Sequence, residues 1–289
     1  MEQARSSRPA AVLRQLAHNP SGLIGMLVVV GLLTMLVFAP LLAPYDYAQQ
    51  DIGSRLQGPS ASHLLGTDHL GRDLLSRIIF GSRVALGVAV PAVLASLSAG
   101  LVLGLVAGYL GGKVDALFLV LMDAVQAFPA IFLALALLAV VGPSLQSVVF
   151  VIAVAFTPGY WRIVRAQVLS VRENPYIEAE RSLGASNTRV VFIHILPNIV
   201  APLITMLAMD LPYAVTFEAG LSFLGLGVQP PTPSWGLILA QGFEWIRTSP
   251  WVVVWTGLIL MLTTLGFTLF GEALRELLDP RLAGTRRIV

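Results

Sequence analysis

No cysteine occurs among the 289 residues, so neither a disulfide framework nor thiolate chemistry is available, and the redox compartment stays open. Charge is scarce too: Asp, Glu, Lys and Arg make up 12% of the chain, about half the density of a soluble domain. The one lysine, Lys113, stands in GYLGGKVD and is followed by Val114. That excludes the Gly-Lys-Ser/Thr ending of a phosphate-cradling loop, so any ATP hydrolysis must come from a partner. None of the four histidines, His18, His63, His69 and His194, falls inside a long apolar run. Neither H-E-x-x-H nor G-x-S-x-G occurs, so the usual zinc-hydrolase and serine-nucleophile signatures are missing. His63 and His69 share one loop, but two ligands make a poor metal site. No catalytic residue and no metal site is assigned. A formal charge of +2 is too small to indicate a nucleic-acid partner, despite a pI near 9.2.

What fills the chain is hydrocarbon: 56% of residues are hydrophobic and the mean hydropathy is +0.80. Apolar runs approach the ~20 residues that cross a bilayer as helix. Six spans are predicted, at 23–43, 82–110, 115–141, 144–161, 199–222 and 251–271. The fold class is all-α, a polytopic membrane protein. The first run exceeds the apolar core of a cleaved signal peptide and is read as a retained helix. The chain then divides into a cytoplasmic segment 1–22, the first span 23–43, an extracytoplasmic segment 44–81, a five-span core 82–272 and a tail 273–289. Basic residues set the orientation. Arg5, Arg8, Arg14, Lys113, Arg162, Arg165, Arg172, Arg181, Arg189, Arg275, Arg281, Arg286 and Arg287 fall on one side, 13 of the 18 Lys and Arg. Arg55, Arg72, Arg77, Arg83 and Arg247 fall on the other. Both termini are therefore expected in the cytoplasm, together with the loop 162–198.

That loop contains NPYIEAERSLGASNTRVVFIHILPN, a polar interruption between oily blocks. Asn174-Pro175 is a helix start, with Asn accepting orphan amide bonds and Pro at the first helical position. Glu178 and Glu180 lie early in that helix, where the macrodipole favours negative charge. Gly184 suits a left-handed stop. Ser186 or Asn187 is expected to cap a second helix, which should end at Leu196 before Pro197. Ala179 and Leu183 give the short helix a small apolar stripe between charged flanks. An amphipathic connector on anionic lipid is one reading. Docking into a groove on another protein accounts better for the glutamates and the corner. A self-contained secondary transporter or channel would leave this hairpin without a purpose.

Outside, Thr67 or Asp68 is expected to cap an interfacial helix through Phe80, with Leu74, Leu75, Ile78 and Ile79 on one face. In GLGVQPPTPSWG the density of Gly and Pro forbids regular helix, and 237–246 reads as a re-entrant half-helix. Three carboxylates fall within spans, Asp123, Asp210 and Glu218, and such groups should face protein or water. Asp123 is a candidate for a translocation path but reads mainly as structural. Asp210, near mid-span beside Pro212, and Glu218 are candidates for a translocation path, where a carboxylate could meet a peptide's ammonium terminus.

The spacing of Glu178-Ala179, Gly184 and Leu196-Pro197 resembles the cytoplasmic loop of ABC importer permeases, E-A-A, three residues, G, nine residues, I, one residue, L-P. Glu180 replaces the second alanine and His194 the isoleucine. The stretches HLLGTDHLGRDLLSRIIFGSR and EAGLSFLGLGVQPPTPSWG are similar to the C-type permease subunit of dipeptide and oligopeptide importers. The resemblance implies a type I permease architecture in a bacterial inner membrane. It implies a heterodimer with a second, B-type permease subunit. Two ATP-binding subunits would carry ATP and Mg, so this chain would bind no cofactor, and an extracytoplasmic binding protein would deliver peptide. By the same resemblance Tyr176, Ile177, Glu178, Ala179, Arg181, Leu183, Gly184 and Pro197 form the ATPase coupling contact. Asp68, Arg72, Asp73, Pro230, Pro231 and Trp235 become candidates for touching the binding protein. A related importer for nickel, glutathione or a sugar derivative is the alternative.

Overall fold

Asn19 opens the first helix, α1 (Pro20–Leu42): its carboxamide accepts from the Ser21 amide at 3.2 Å, and Pro20 takes the first helical position. The computed structural model describes residues 19–278, and the terminal arginines that entered the orientation count lie outside them. Among the described residues eight further helices of eight residues or more follow: α2 (Leu74–Leu110), α3 (Gly112–Gln126), α4 (Ala130–Val141), α5 (Leu145–Arg172), α6 (Pro175–Ser182), α7 (Leu196–Phe223), α8 (Trp235–Glu244) and α9 (Trp251–Leu278). Among the described residues the only extended pairing is an isolated bridge between Thr67 and Asp73. Four of these helices, together with the continuous helix Asn187–Phe223 that includes α7, supply five elements long and apolar enough to cross a membrane. The bent pair α3–α4 makes six if counted as one span.

Three expectations change. The helix foreseen from Thr67 or Asp68 through Phe80 is not a separate interfacial element. Asp73 caps at Leu74, and α2 runs 37 residues without a break, a rod of about 55 Å. One glycine at position 81 is too weak a stop, about 1 kcal/mol, and here the Trp235 ring lies over it, 2.7 Å from where a Cβ would sit. The span expected at 115–141 is broken by a 92° bend. Pro129 has no amide to donate, and its ring drives Phe128 out of the helical region. The helix expected to stop at Leu196 does not. Val190–Ile195 winds as a π-helix and the Leu196 amide donates to Val191 O, so the wider turn accommodates the proline ring and the chain continues into α7.

The centre of the molecule is the seam between α2 and α5. Gly100, Gly104 and Gly108 recur every four residues on α2, and each faces α5 backbone or Cβ atoms. A Cβ on Gly100 would stand 2.3 Å from Tyr160 Cβ and 2.8 Å from Trp161 N; one on Gly104 would meet Val164 Cβ at 2.7 Å. Small residues let two helices approach this closely, which in lipid is the main source of attraction between them. Ala85, Ala89, Ala92 and Val93 extend the contact outward against Val148, Val151 and Ile152, all fully buried. Around this pair, α1 packs against α9 and α2, and α9 packs against α7.

Gly100→Ala should therefore lower stability by about 1–3 kcal/mol through overpacking. Gly87→Ala on the same helix, where a Cβ meets nothing within 4 Å, should be neutral or mildly stabilising. Thermal unfolding in detergent distinguishes them, and equal midpoints for the two variants would contradict the seam.

Candidate functional site

The hairpin at 174–198 is built on the ends of α5 and α2. Asn174 adopts the extended N-cap conformation before Pro175, but its side chain does not cap α6 as expected. Its Nδ2 instead donates back to Ser170 O and Val171 O, at 3.2 and 3.1 Å, welding the end of α5 to the start of α6. The corner is a Schellman turn. Gly184 has φ +86°, its amide donates to Arg181 O, and the Ala185 amide donates to Glu180 O, both at 3.0 Å. Ser186 then caps the next turn, accepting from the Arg189 amide at 3.3 Å.

One side chain nails α6 down: Ile177 is fully buried. This corrects its place among the expected contact residues, because Ile177 faces the chain's own core. Tyr176, Ala179 and Leu183, spaced i, i+3 and i+7, form the outward face, with Leu183 85% exposed. Glu178 and Arg181 flank them, both exposed. The Arg181 guanidinium also sits 5.4 Å from the Tyr109 ring centroid, and Tyr109 OH donates to Asn187 Oδ1 at 2.6 Å. Arg172 Nη1 donates to Gly108 O and Tyr109 O at 3.2 Å each. Both arms of the hairpin are thus tied to the inner end of α2. Across the corner, Glu180 Oε1 lies 3.7 Å from His194 Nε2, and Glu180 Oε2 4.0 Å from Arg189 Nε. The two residues that depart from the EAA-type pattern therefore face each other. Pro197 is exposed, beyond the π-helical run at the start of α7.

The in-span carboxylates have three different fates. Asp123 Oδ1 accepts from Arg162 Nη2 at 3.1 Å, and Arg162 also donates to Gln126 at 2.6 Å. That ion pair is more than half exposed on the surface of this chain. Asp210 is half-buried on α7, against Tyr160 of α5. Glu218 is fully buried: its Oε1 accepts from Ser222 Oγ at 2.6 Å and its Oε2 has no partner. It lines no open passage in this conformation, which removes it from the candidate path.

At the opposite end of α2, four of the six residues expected to meet a binding protein are interior. Asp68, Arg72, Asp73 and Trp235 are each at most 2% exposed, whereas Pro230 and Pro231 are exposed. Asp68 is the hub of a buried charge cluster. Its Oδ2 takes Arg72 Nε at 2.7 Å and Arg77 Nη1. Its Oδ1 accepts the amides of Leu70 and Arg72 at 2.8 and 3.0 Å. Both arginines donate Nη2 to Gln241 Oε1 on α8, at 3.2 and 3.0 Å. Asp73 accepts from Ser76 N at 2.8 Å and lies 2.9 Å from His63 Nδ1. Trp235 Nε1 donates to Ile78 O at 2.9 Å. The cluster clamps residues 51–73 and α8 onto the outer end of α2. Burial alone would push the Asp68 carboxyl up, but the Arg77 and Arg72 guanidiniums and the two amides outweigh it and hold it below its ordinary value. Sequence inspection missed Arg77 and Gln241 as partners, since Gln241 is remote in the chain.

Comparison with known proteins supplies independent information. Residues 100–284 match the family described as "Binding-protein-dependent transport system inner membrane component". Residues 10–59 match the "N-terminal TM domain of oligopeptide transport permease C". The chain is 42% identical to a dipeptide transport system permease protein of Alkalihalophilus pseudofirmus, over 93% of this chain and 88% of that one. It is 40% identical to a di/tripeptide transport system permease protein of Pseudomonas aeruginosa, over 98% of both. A glutathione transport system permease protein of Escherichia coli is 38% identical, over 94% of this chain and 90% of that one. Among solved structures, an inward-facing MetNI methionine ABC transporter chain superposes with a TM-score of 0.58 at 18% identity, covering 71% of this chain and 98% of that chain.

Removing the hub of the outer cluster should be costly. Asp68→Asn leaves two buried guanidiniums without their counter-charge, a loss on the order of 3–5 kcal/mol. Because the folded-state carboxyl is depressed, its stabilisation is complete above the ordinary carboxylate value and is lost as pH falls through the folded one. The wild type should therefore show an acid-labile limb in its unfolding midpoint that Asp68→Asn lacks; identical pH profiles would contradict the assignment.

Proposed function

The chain belongs to the family of binding-protein-dependent transport system inner membrane components, the permease subunits of ABC importers, and from that premise we propose that it forms half of the passage of a peptide importer. The greatest identities among the relatives named above are with dipeptide and di/tripeptide permeases, which favours peptide over other solutes. Glutathione, itself a short peptide, is the second reading, resting on the Escherichia coli relative. The chain resides in a bacterial inner membrane with both termini in the cytoplasm. A B-type permease subunit completes the passage as a heterodimer, two ATP-binding subunits hold ATP and Mg, and an extracytoplasmic binding protein delivers the peptide. This chain itself binds no cofactor and carries no catalytic residue. On the outside, the exposed Pro230 and Pro231 remain the residues offered to the binding protein. Asp210 lines the passage, and the uncovered Asp123–Arg162 pair is shielded by water or by the sister subunit.

One observation carries the coupling assignment: α6 is held rigidly yet presents an apolar face to the cytoplasm. Ile177, the Schellman corner and the ties to Tyr109 fix its shape, while Tyr176, Ala179 and Leu183 project outward. A connector lying on lipid needs no such fixed corner, whereas a helix that transmits force into a groove does. Tyr176, Glu178, Ala179, Arg181 and Leu183 make the contact, Gly184 sets its angle, and Pro197 marks where the returning arm meets the membrane.

Gly184→Val imposes a left-handed conformation on a branched side chain, at about 1–2 kcal/mol. No neighbouring atom of this chain obstructs it, since a Cβ there meets nothing within 4 Å. Glu178→Arg reverses charge on the exposed face. Both variants should insert normally, yet lose most binding-protein-stimulated ATPase activity and peptide uptake in reconstituted vesicles of the full complex. Wild-type values for both variants would assign the helix to the lipid surface.

A further inference from the structure

The exposed side of α7 carries a set of groups that lipid cannot accommodate. Asp210, Tyr213 and Phe217 recur at i, i+3 and i+7, within one narrow arc of the helix. Asp210 stands 14 residues from Leu196 and 13 from Phe223, about 20 Å from either end. Across from it, Phe156 and Tyr160 lie one turn apart on α5. The rings of Phe156, Tyr213 and Phe217 form a cluster, with centroids 5.4 Å (Phe156–Tyr213), 6.0 Å (Phe156–Phe217) and 6.4 Å (Tyr213–Phe217) apart. Below them Asp210 neighbours Tyr160, whose hydroxyl is buried and makes no hydrogen bond. Tyr213 is 57% exposed, and its neighbour Thr216 is exposed as well. A carboxyl and a phenol at mid-bilayer depth are expensive against hydrocarbon, so this face abuts water or a polar passage rather than lipid.

A carboxylate one turn from a cluster of aromatic rings can receive an organic cation, because charge and ring quadrupole both attract it. We propose that Asp210, with Tyr213, Phe217 and Phe156 above it, forms a mid-membrane station for the ammonium terminus of the transported peptide. This rests on the peptide reading above and deepens it. The ammonium is the one cation that peptides with free amino ends share whatever their side chains, so a station for it serves a passage that must accept many sequences. The rings contribute a surface for the first side chain that does not depend on its identity.

The absence of cysteine makes the test direct. In the full complex in vesicles, Tyr213→Cys places a single thiol on this chain one turn from Asp210. Its modification is followed by the mass of this chain, using a cationic and an anionic methanethiosulfonate reagent of similar size. The cationic reagent should react about tenfold faster, as expected for an attractive charge a few ångströms away, and Asp210→Asn in the same background should bring the ratio near one. A transported peptide with a free amino end should slow the reaction, and its N-acetylated form should not. Phe217→Cys repeats the measurement if the first variant fails to assemble. Absence of modification with and without nucleotide, or a ratio unchanged by Asp210→Asn, overturns the station. Protection by simple alkylammonium ions but by no peptide would leave the cation site standing and overturn its assignment to peptide.

Discussion

The close approach of α2 and α5 is the constraint on which the other features depend. A side chain at Gly100, Gly104 or Gly108 would drive the two helices apart, and both ends of the molecule are referenced to that pair. The outer end of α2 begins in the Asp68 cluster, which fixes residues 51–73 and α8. Its inner end supplies Tyr109 and the carbonyls that grip Arg172 and Arg181. From α5 come Tyr160 and Phe156 at mid-length and Arg162 and Arg165 nearer the hairpin. Arg165 pairs with Asp115 on α3, so the seam also positions the bent helix pair. Without a hydrophobic driving force between helices in lipid, shape complementarity at the glycine stripe has to supply what burial supplies in a soluble core.

The hairpin inherits its stiffness from that seam. Eight residues of α6 could not hold a helix by propensity alone. What holds them is the single buried Ile177, the Schellman corner at Gly184 and the contacts to α2. A tilt of α5 against α2 would therefore move the exposed Tyr176–Ala179–Leu183 face as a body, and a push on that face would return to the seam. That reciprocity is what linkage between two sites requires.

Much of this was legible in the sequence, and the gaps have physical causes. Apolar run length showed the spans, because a membrane leaves little choice of element. The left-handed stop at Gly184 and the cap at Ser186 are local and were readable. Asn174 misled because an N-cap residue competes for two helices at once, and here it bonds backward to α5. Pro129 and Pro197 look alike in a one-dimensional reading. One breaks its span by 92° and the other is absorbed by a π-helical run. The outer helix merged into α2 because burial of Leu74, Ile78 and Ile79 outweighed one weak stop at Gly81. The spacing of Gly100, Gly104 and Gly108 was present to be read as a packing stripe. Glu218 could not be separated from Asp210 by position alone; only packing shows that one is sealed in and the other is not.

The contact between Glu180 and His194 bears on how such loops diverge. Each residue taken alone is a departure from the E-A-A and I-x-L-P ends of the pattern. In three dimensions the two ends of that pattern are neighbours, 3.7 Å apart across the corner. An alanine against an isoleucine has been exchanged for an acid against an imidazole, one apolar pairing for one polar pairing. The two positions thus form one contact, and the fit of either arm depends on the other. A loop grafted between permeases of this family keeps its internal fit only when both arms come from the same parent, and mixed arms would set a lone carboxylate or a lone imidazole against an apolar neighbour.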